Sequence, residues 1–297
     1  SLALDAQERP HVSYSAGSGY ALRFAYRDGG GWHTATVDSE RENSTGTSLA
    51  LDAGGLAHVA YLDFRDEANH LLKYAHRSDE GWQMGWIDSE DPVSGHISLA
   101  LDPEGQAHLS YRSGSGLKYI YQDASGWHDT VLDREQYTGL YTSLALDAAG
   151  YPHISYCGPW PEHALHYAFQ DSAGWHLEVV QANLGMYLSG HTSLALDAAG
   201  RPHISYFSFV DEAIRYAYRD GTGWHFELVD GNGFVGKMHT SLALDSGGEP
   251  HIAFFDVNNY SVEYATRDAE GWHVEVVGYA GDYGTDADMV SMALDGA

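Results

Sequence analysis

Residues 193–230 read SLALDAAGRPHISYFSFVDEAIRYAYRDGTGWHFELVD. Four short runs stand in this stretch: Ser193–Asp197, His203–Tyr206, Ile214–Tyr218 and Trp224–Asp230. Each alternates with a period of two over four to seven residues, the spacing of β-strands and not of helices. A tight turn containing Gly200 follows the first run, and Asp220–Gly223 reads as a hairpin turn before the last. One such stretch is therefore a four-stranded antiparallel unit.

Working outward, Ser-Leu-Ala-Leu-Asp or a close variant starts at residues 1, 48, 98, 143, 193, 241 and 291. The intervals of 47, 50, 45, 50, 48 and 50 residues define a repeat of about 48. Gly stands third after the Asp in five of six units, at Gly55, Gly105, Gly150, Gly200 and Gly248. Four strands per unit, repeated with no helical stretch between them, describe β-propeller blades. Six full units predict an all-β, six-bladed propeller as a single domain over 1–297. Its blades fall at about 1–47, 48–97, 98–142, 143–192, 193–240 and 241–290, and a further strand at 291–297. The ends pose a question, because Ser1–Asp5 and Ser291–Asp295 compete for one inner place. Either the C-terminal copy closes the ring against His11–Asp38, or one copy lies elsewhere, including on a neighbouring molecule. A seven-blade ring lacking most of a blade would expose two sheet faces.

Composition narrows the function. Asp and Glu outnumber Lys and Arg 42 to 15, a formal charge of −27 in 297 residues. Such a surface repels phosphate backbones, so nucleic acid is excluded as a partner. No apolar run approaches the ~20 residues that cross a bilayer, so no membrane insertion is expected. One cysteine, Cys157, leaves no internal disulfide framework. The expected partners are a small-molecule substrate or a sugar, with oligomerisation through the extra terminal strand as a further option.

The units, SLALD–turn–G-x-P-H-I-S-Y, then L-x-Y-A, then D-x-x-G-W-H-x-E-x-V-D, resemble propeller repeats of bacterial, often exported, proteins of unassigned function. That resemblance covers essentially the whole chain and speaks to fold more than to activity. With the acidic surface it implies a secreted or periplasmic bacterial protein. The D-G-x-G-W element, Asp28 to Trp32 with a variant at Gly221 to Trp224, is also similar to blades of fucose-binding propeller lectins. The S-x-D-x-G-x-T-W box of sialidases does not occur.

An internal repeat separates fold from function, since a residue found in every blade is explained by building blades. Six histidines, His11, His58, His108, His153, His203 and His251, open the second strands across a turn from Asp5, Asp52, Asp102, Asp147, Asp197 and Asp245. An Asp–His hydrogen bond tying each hairpin is the expected role. Six tryptophans, Trp32, Trp82, Trp127, Trp175, Trp224 and Trp272, are expected between neighbouring blades. The histidines that follow five of them are expected at the surface.

The exceptions lie two residues before each inner-strand serine: Gly46, His96, Tyr141, His191, His239 and Met289. This position delivers the chain to the mouth of the central channel, where His96, His191 and His239 would converge. Three neutral imidazoles suit a divalent transition metal (zinc, manganese, copper, iron or nickel) and leave positions open for water or substrate. Tyr141 would serve as proton donor or oxyanion partner, and a carboxylate from Glu162, Asp211 or Asp256 as general base or orienting group. Asp282, Asp286 and Asp288 in a Gly-rich loop are a candidate calcium site, although their spacing matches no EF-hand. No G-x-S-x-G, H-E-x-x-H, P-loop or C-x-x-C motif occurs. Cys157 has no neighbouring base in sequence and is expected to be a spectator. The leading expectation is a metal-dependent hydrolase of a small ester, lactone or phosphoester. The alternative is a carbohydrate-binding or scaffold propeller without catalysis.

Overall fold

The structure, a computed structural model, describes residues 1–16, 21–39, 44–66, 69–88, 91–135, 138–158, 163–184, 191–231, 239–256, 258–279 and 290–295. Its strands form six four-stranded antiparallel sheets, each built from four consecutive strands. This is the six-bladed β-propeller class that the repeats predict. The chain divides into two compact units, Ser1–Leu140 and Tyr141–Ala297, with three blades in each.

The fifth blade shows how the sequence builds one unit. Its strands are Thr192–Leu196, Pro202–Ser208, Ala213–Asp220 and Gly223–Asp230. The first hairpin is held by Asp197, whose Oδ1 accepts the backbone N–H of Ala199 and of Arg201, both at 2.9 Å. Gly200 closes that turn with φ of 74°, a left-handed conformation that costs glycine least. The first blade has Glu8 there instead, at φ of 61°. Between third and outer strands the register slips after Ile214, and all six blades slip at the matching place. The bulge re-aims the side chain beyond it, so Val229 is only 6% exposed.

Blades within each unit share apolar cores. In the first unit Leu22, Phe24 and Val37 meet Leu49, Val59 and Tyr61 of the next blade. In the second, Ile214, Tyr216 and Val229 meet Leu242, Ile252 and Phe254. Tryptophans lie edge-on against the third strand of the preceding blade: Trp82 on Phe24, Trp127 on Tyr74 and Trp272 on Tyr216 at 5.3 Å, Trp224 on Tyr167 at 5.5 Å. Such pairs add about 1 kcal/mol beyond the area they bury. These four tryptophans are structural, as repetition implies, but Trp32 of the first blade is 56% exposed and departs from the interblade burial expected of all six. The histidines after them are half-exposed and clamp the outer hairpins, as where His225 stacks on Tyr218 and reaches Asp220 at 2.9 Å.

A serine staple joins successive inner strands. Ser1, Ser48, Ser143 and Ser193 each accept, through Oγ, the backbone N–H of Leu49, Leu99, Leu194 and Leu242 at 2.9–3.2 Å. Ser241 accepts that of Met292 at 3.0 Å. The two terminal copies thus have different places. Leu2–Leu4 forms the inner strand of the first sheet, paired with Pro10–Val12. Residues 291–295 lie beside the sixth blade's inner strand, where a following inner strand would run.

The histidine ring corrects one expectation. Only His11 makes a hydrogen bond to its aspartate, Nε2 to Asp5 at 3.1 Å; the other five stand 3.5–3.7 Å away. Their partner is a tyrosine on the third strand: His58 with Tyr74, His108 with Tyr119, His153 with Tyr167, His203 with Tyr216 and His251 with Tyr264. The Nε2 edge faces a carboxylate and carries the proton, so Nδ1 accepts the tyrosine hydroxyl. The first blade has Phe24 at the tyrosine position, and its histidine turns to Asp5 instead. Among the described residues no helix is long and apolar enough to cross a membrane.

Candidate metal centre

The far end of each inner strand carries the exceptions. Thr192 and Thr240 begin the inner strands of the fifth and sixth blades, and both are buried. Thr192 Oγ1 donates to the Tyr141 carbonyl and accepts from Ser155 Oγ, both at 2.8 Å. Thr240 Oγ1 donates to Ser205 Oγ at 2.8 Å. These anchors set the preceding residues, His191 and His239, side by side. Their ring centroids lie 3.4 Å apart with planes inclined at 37°. The Tyr141 ring stands 4.2 Å from His191.

Tyr141 adopts φ of 54°, close to the 58° of Gly46 at the corresponding position two units earlier in the repeat. A tyrosine in that left-handed region is uncommon, and the bond from Thr192 to its carbonyl helps hold it there. Neighbouring Gly139, at φ of 84°, has no room for a side chain, since a Cβ would meet Leu117 Cα at 2.9 Å.

His191 and His239, with their rings in contact, belong to one unit, and His96, the third expected ligand, belongs to the other. On a tetrahedral zinc with Zn–N near 2.0–2.1 Å two such nitrogens would stand roughly 3.3 Å apart. Burial pushes the His96 imidazole down to about 4, which leaves it neutral near pH 7, the form that binds metals. Burial, with the Cys157 thiol nearby, pushes the Tyr141 phenol up, so it stays a proton donor. Cys157 itself is buried at 3% exposure.

The expected carboxylates have other partners. Asp211 accepts from Arg215 Nε at 2.7 Å and from Ser208 Oγ at 2.9 Å. Its burial favours the neutral acid, but Arg215 and Ser208 outweigh that and hold its carboxyl below the usual range. Asp256 holds its own turn, accepting from the Asn258 backbone at 2.8 Å and from Asn259 Nδ2 at 2.9 Å. Glu162, Met289 and the candidate calcium ligands Asp282, Asp286 and Asp288 lie outside the described residues. The sequence reading passed over the anchors Ser155, Thr192, Ser205 and Thr240. A signal was present, since a threonine follows the exceptional position in four units, at Thr47, Thr142, Thr192 and Thr240.

Comparison with known proteins places the fold. No protein-family model matches the sequence, and neither does any curated protein. Among solved structures, AofleA from Arthrobotrys oligospora is similar with a TM-score of 0.64 at 13% identity, covering 93% of this chain and 85% of that one. A protein of unknown function from Dyadobacter fermentans has a TM-score of 0.57 at 10% identity, covering 92% of both chains. An ulvan lyase of polysaccharide lyase family PL25, bound to -[GlcA(1-4)Rha3S]-, has a TM-score of 0.61 at 12% identity, covering 92% of this chain and 79% of that one. At these identities the likeness is one of fold.

Proposed function

We propose that the protein is a metal-dependent hydrolase of a small ester, lactone or phosphoester, with His96, His191 and His239 as ligands of one divalent transition metal. The observation that carries this reading is the contact of the His191 and His239 rings, centroids 3.4 Å apart, at the position where the repeat varies toward metal-binding chemistry and where a third blade carries His96. A metal on three neutral imidazoles acidifies water at its open position and polarises a carbonyl or phosphoryl oxygen. Tyr141, whose ring centroid lies 4.2 Å from that of His191, would donate its phenolic proton to an oxyanion or leaving group. A loop carboxylate, Asp211, Asp256 or Glu162, takes up the proton released. The negative surface favours neutral or weakly charged substrates over polyanions.

Elemental analysis of tag-free protein tests this reading. Near-stoichiometric transition metal is expected in the wild type and none in a His96/His191/His239 triple-alanine variant. Wild-type protein that stays metal-free after reconstitution would sink it.

One observation favours a second reading, a carbohydrate-binding propeller. A cleft of about 500 Å³ opens between the fifth and sixth blades, lined among others by Tyr218, Arg201, Arg219, Arg267 and Glu249. An aromatic face beside arginines and carboxylates is sugar-binding chemistry, and the ulvan lyase shows that a similar fold can hold a saccharide. Titration of the metal-loaded and metal-free forms on a glycan array separates the two readings.

A further inference from the structure

One register position of the outer strands separates the blades. In the fourth and fifth, the third-strand tyrosine pairs across to a glutamate, Tyr167 with Glu178 and Tyr216 with Glu227. The following blade then supplies two donors to that carboxylate. Trp224 Nε1 and Arg219 reach Glu178 at 3.2 and 2.9 Å, and Trp272 Nε1 and Arg267 reach Glu227 at 2.8 and 2.9 Å. Each glutamate is thus held between an indole N–H and a guanidinium.

The second blade, which lies in the first unit, breaks this pattern. Its Tyr74 pairs with Gly85 of the outer strand Gly81–Asp88. From the third blade, in the same unit, Trp127 still lies edge-on against the tyrosine at 5.3 Å. Across from Trp127 stands Gln122, where Arg219 and Arg267 stand across from their tryptophans. Carboxylate and guanidinium are both replaced, and a pocket of about 220 Å³ opens, lined by Tyr74, His76, Gln83, Gly85, Gln122 and Trp127 among others. The φ of Gly85 lies outside the left-handed region, and a Cβ there would meet nothing within 4 Å. Neither backbone strain nor crowding requires this glycine, so what it contributes is the space.

We infer that this pocket binds a small neutral carboxamide, whose carbonyl stands in for the glutamate carboxylate of the later blades. The Trp127 indole is a donor only, and Gly85 has no side chain to accept it, so the ligand's carbonyl oxygen does. Gln122 offers an N–H donor and a carbonyl acceptor where arginine has donors alone. The ligand's amide N–H donates to that carbonyl, which a carboxylate cannot do. Among the described residues no lysine or arginine lines the pocket, and the chain carries a formal charge of −27. An anion would therefore enter without the cation that Glu178 and Glu227 have. The Tyr74 and Trp127 rings supply apolar walls for a planar body attached to the amide. The site uses no metal and is independent of the hydrolase reading.

The test is titration of the full-length chain with benzamide and with benzoate, which share a shape and differ in the amide. The readout is the Trp127 indole N–H resonance in ¹H–¹⁵N spectra, assigned through Trp127→Phe. Benzamide is expected to shift it saturably with a Kd of about 1 mM or tighter, and benzoate to bind at least about tenfold more weakly. Gly85→Gln, which delivers a carboxamide from the chain itself, is expected to abolish binding without lowering Tm. Gln122→Arg is expected to reverse the preference toward benzoate. Should Gly85→Gln fail to fold, Gln122→Met, which removes both amide partners, is expected to weaken benzamide about tenfold. No shift at about 20 mM benzamide, benzoate binding as tightly as benzamide, or binding indifferent to the substitutions at 85 and 122 would each overturn the inference. Tighter binding of methyl glucoside than of benzamide at the same resonance would overturn it in favour of a hydroxylated ligand.

Discussion

The two ends of the fifth blade's inner strand, about 17 Å apart at ~3.3 Å per residue, both carry histidine. At one end, Asp197 and His203 flank the turn; His203 is buried and holds the Tyr216 hydroxyl. At the other end, His191 meets the rings of His239 and Tyr141. His203 has a counterpart in every blade, and His191 in only two others. The same side chain is a structural clamp where the repeat demands it and candidate chemistry where the repeat does not. The difference teaches that departure from the repeat, and not residue type, marks the site.

Four measurements break or sharpen this contrast. The largest effect is expected from His191→Ala/His239→Ala. Metal content falls from near one equivalent to below a tenth and ester or phosphoester hydrolysis drops at least about 100-fold, while Tm moves by only a few degrees. A large loss of stability with metal retained would make these residues clamps as well. The reverse outcome is expected for His203→Ala, which strands the Tyr216 hydroxyl beside a buried gap. It costs about 2–3 kcal/mol, read as a shift in denaturant midpoint, with metal content unchanged.

The third concerns pH. Burial, against the pull of the paired aspartates, holds His58, His108, His153 and His203 below the ordinary imidazole value. As pH falls through about 6.5 the unfolded chain takes up protons that the folded chain refuses, so stability declines with acidification in that window. Below about pH 4 a second decline sets in. There the unfolded chain protonates carboxylates such as Asp28 and Asp245, which His33 and backbone N–H groups hold low in the fold. Thermal melts from pH 8 to pH 3 check the order, and the slope between pH 6.5 and 5 is expected to shrink in His203→Gln. The smallest effect is in the first blade, where the buried Nδ1 of His11 has no hydrogen-bond partner. Phe24→Tyr is expected to supply that donor and raise stability by up to about 1 kcal/mol, provided the tyrosine keeps the edge contact with Trp82.

Much of this was legible without coordinates. The 48-residue period, the four strands per unit and the interblade tryptophans follow from alternation and repetition, because each blade is a local, consecutive antiparallel sheet. The Asp–His pairs were legible as pairs but not as geometry. Nothing local shows that a tyrosine on the third strand, eleven to sixteen residues on, intercepts the imidazole in five blades.

The candidate site divides the same way. Histidines 96, 191 and 239 stood out in sequence because Gly, Tyr and Met fill the other positions. That the rings of His191 and His239 come within 3.4 Å of each other depends on packing that sequence spacing does not encode. So does the engagement of Asp211 by Arg215, since a loop acid's partner is set by how the loop folds. The sequence alone determined the class of fold and the positions where blades differ, since both are periodic and local. Only tertiary structure decided which differing side chains meet, because that depends on neighbours about fifty residues away in the chain.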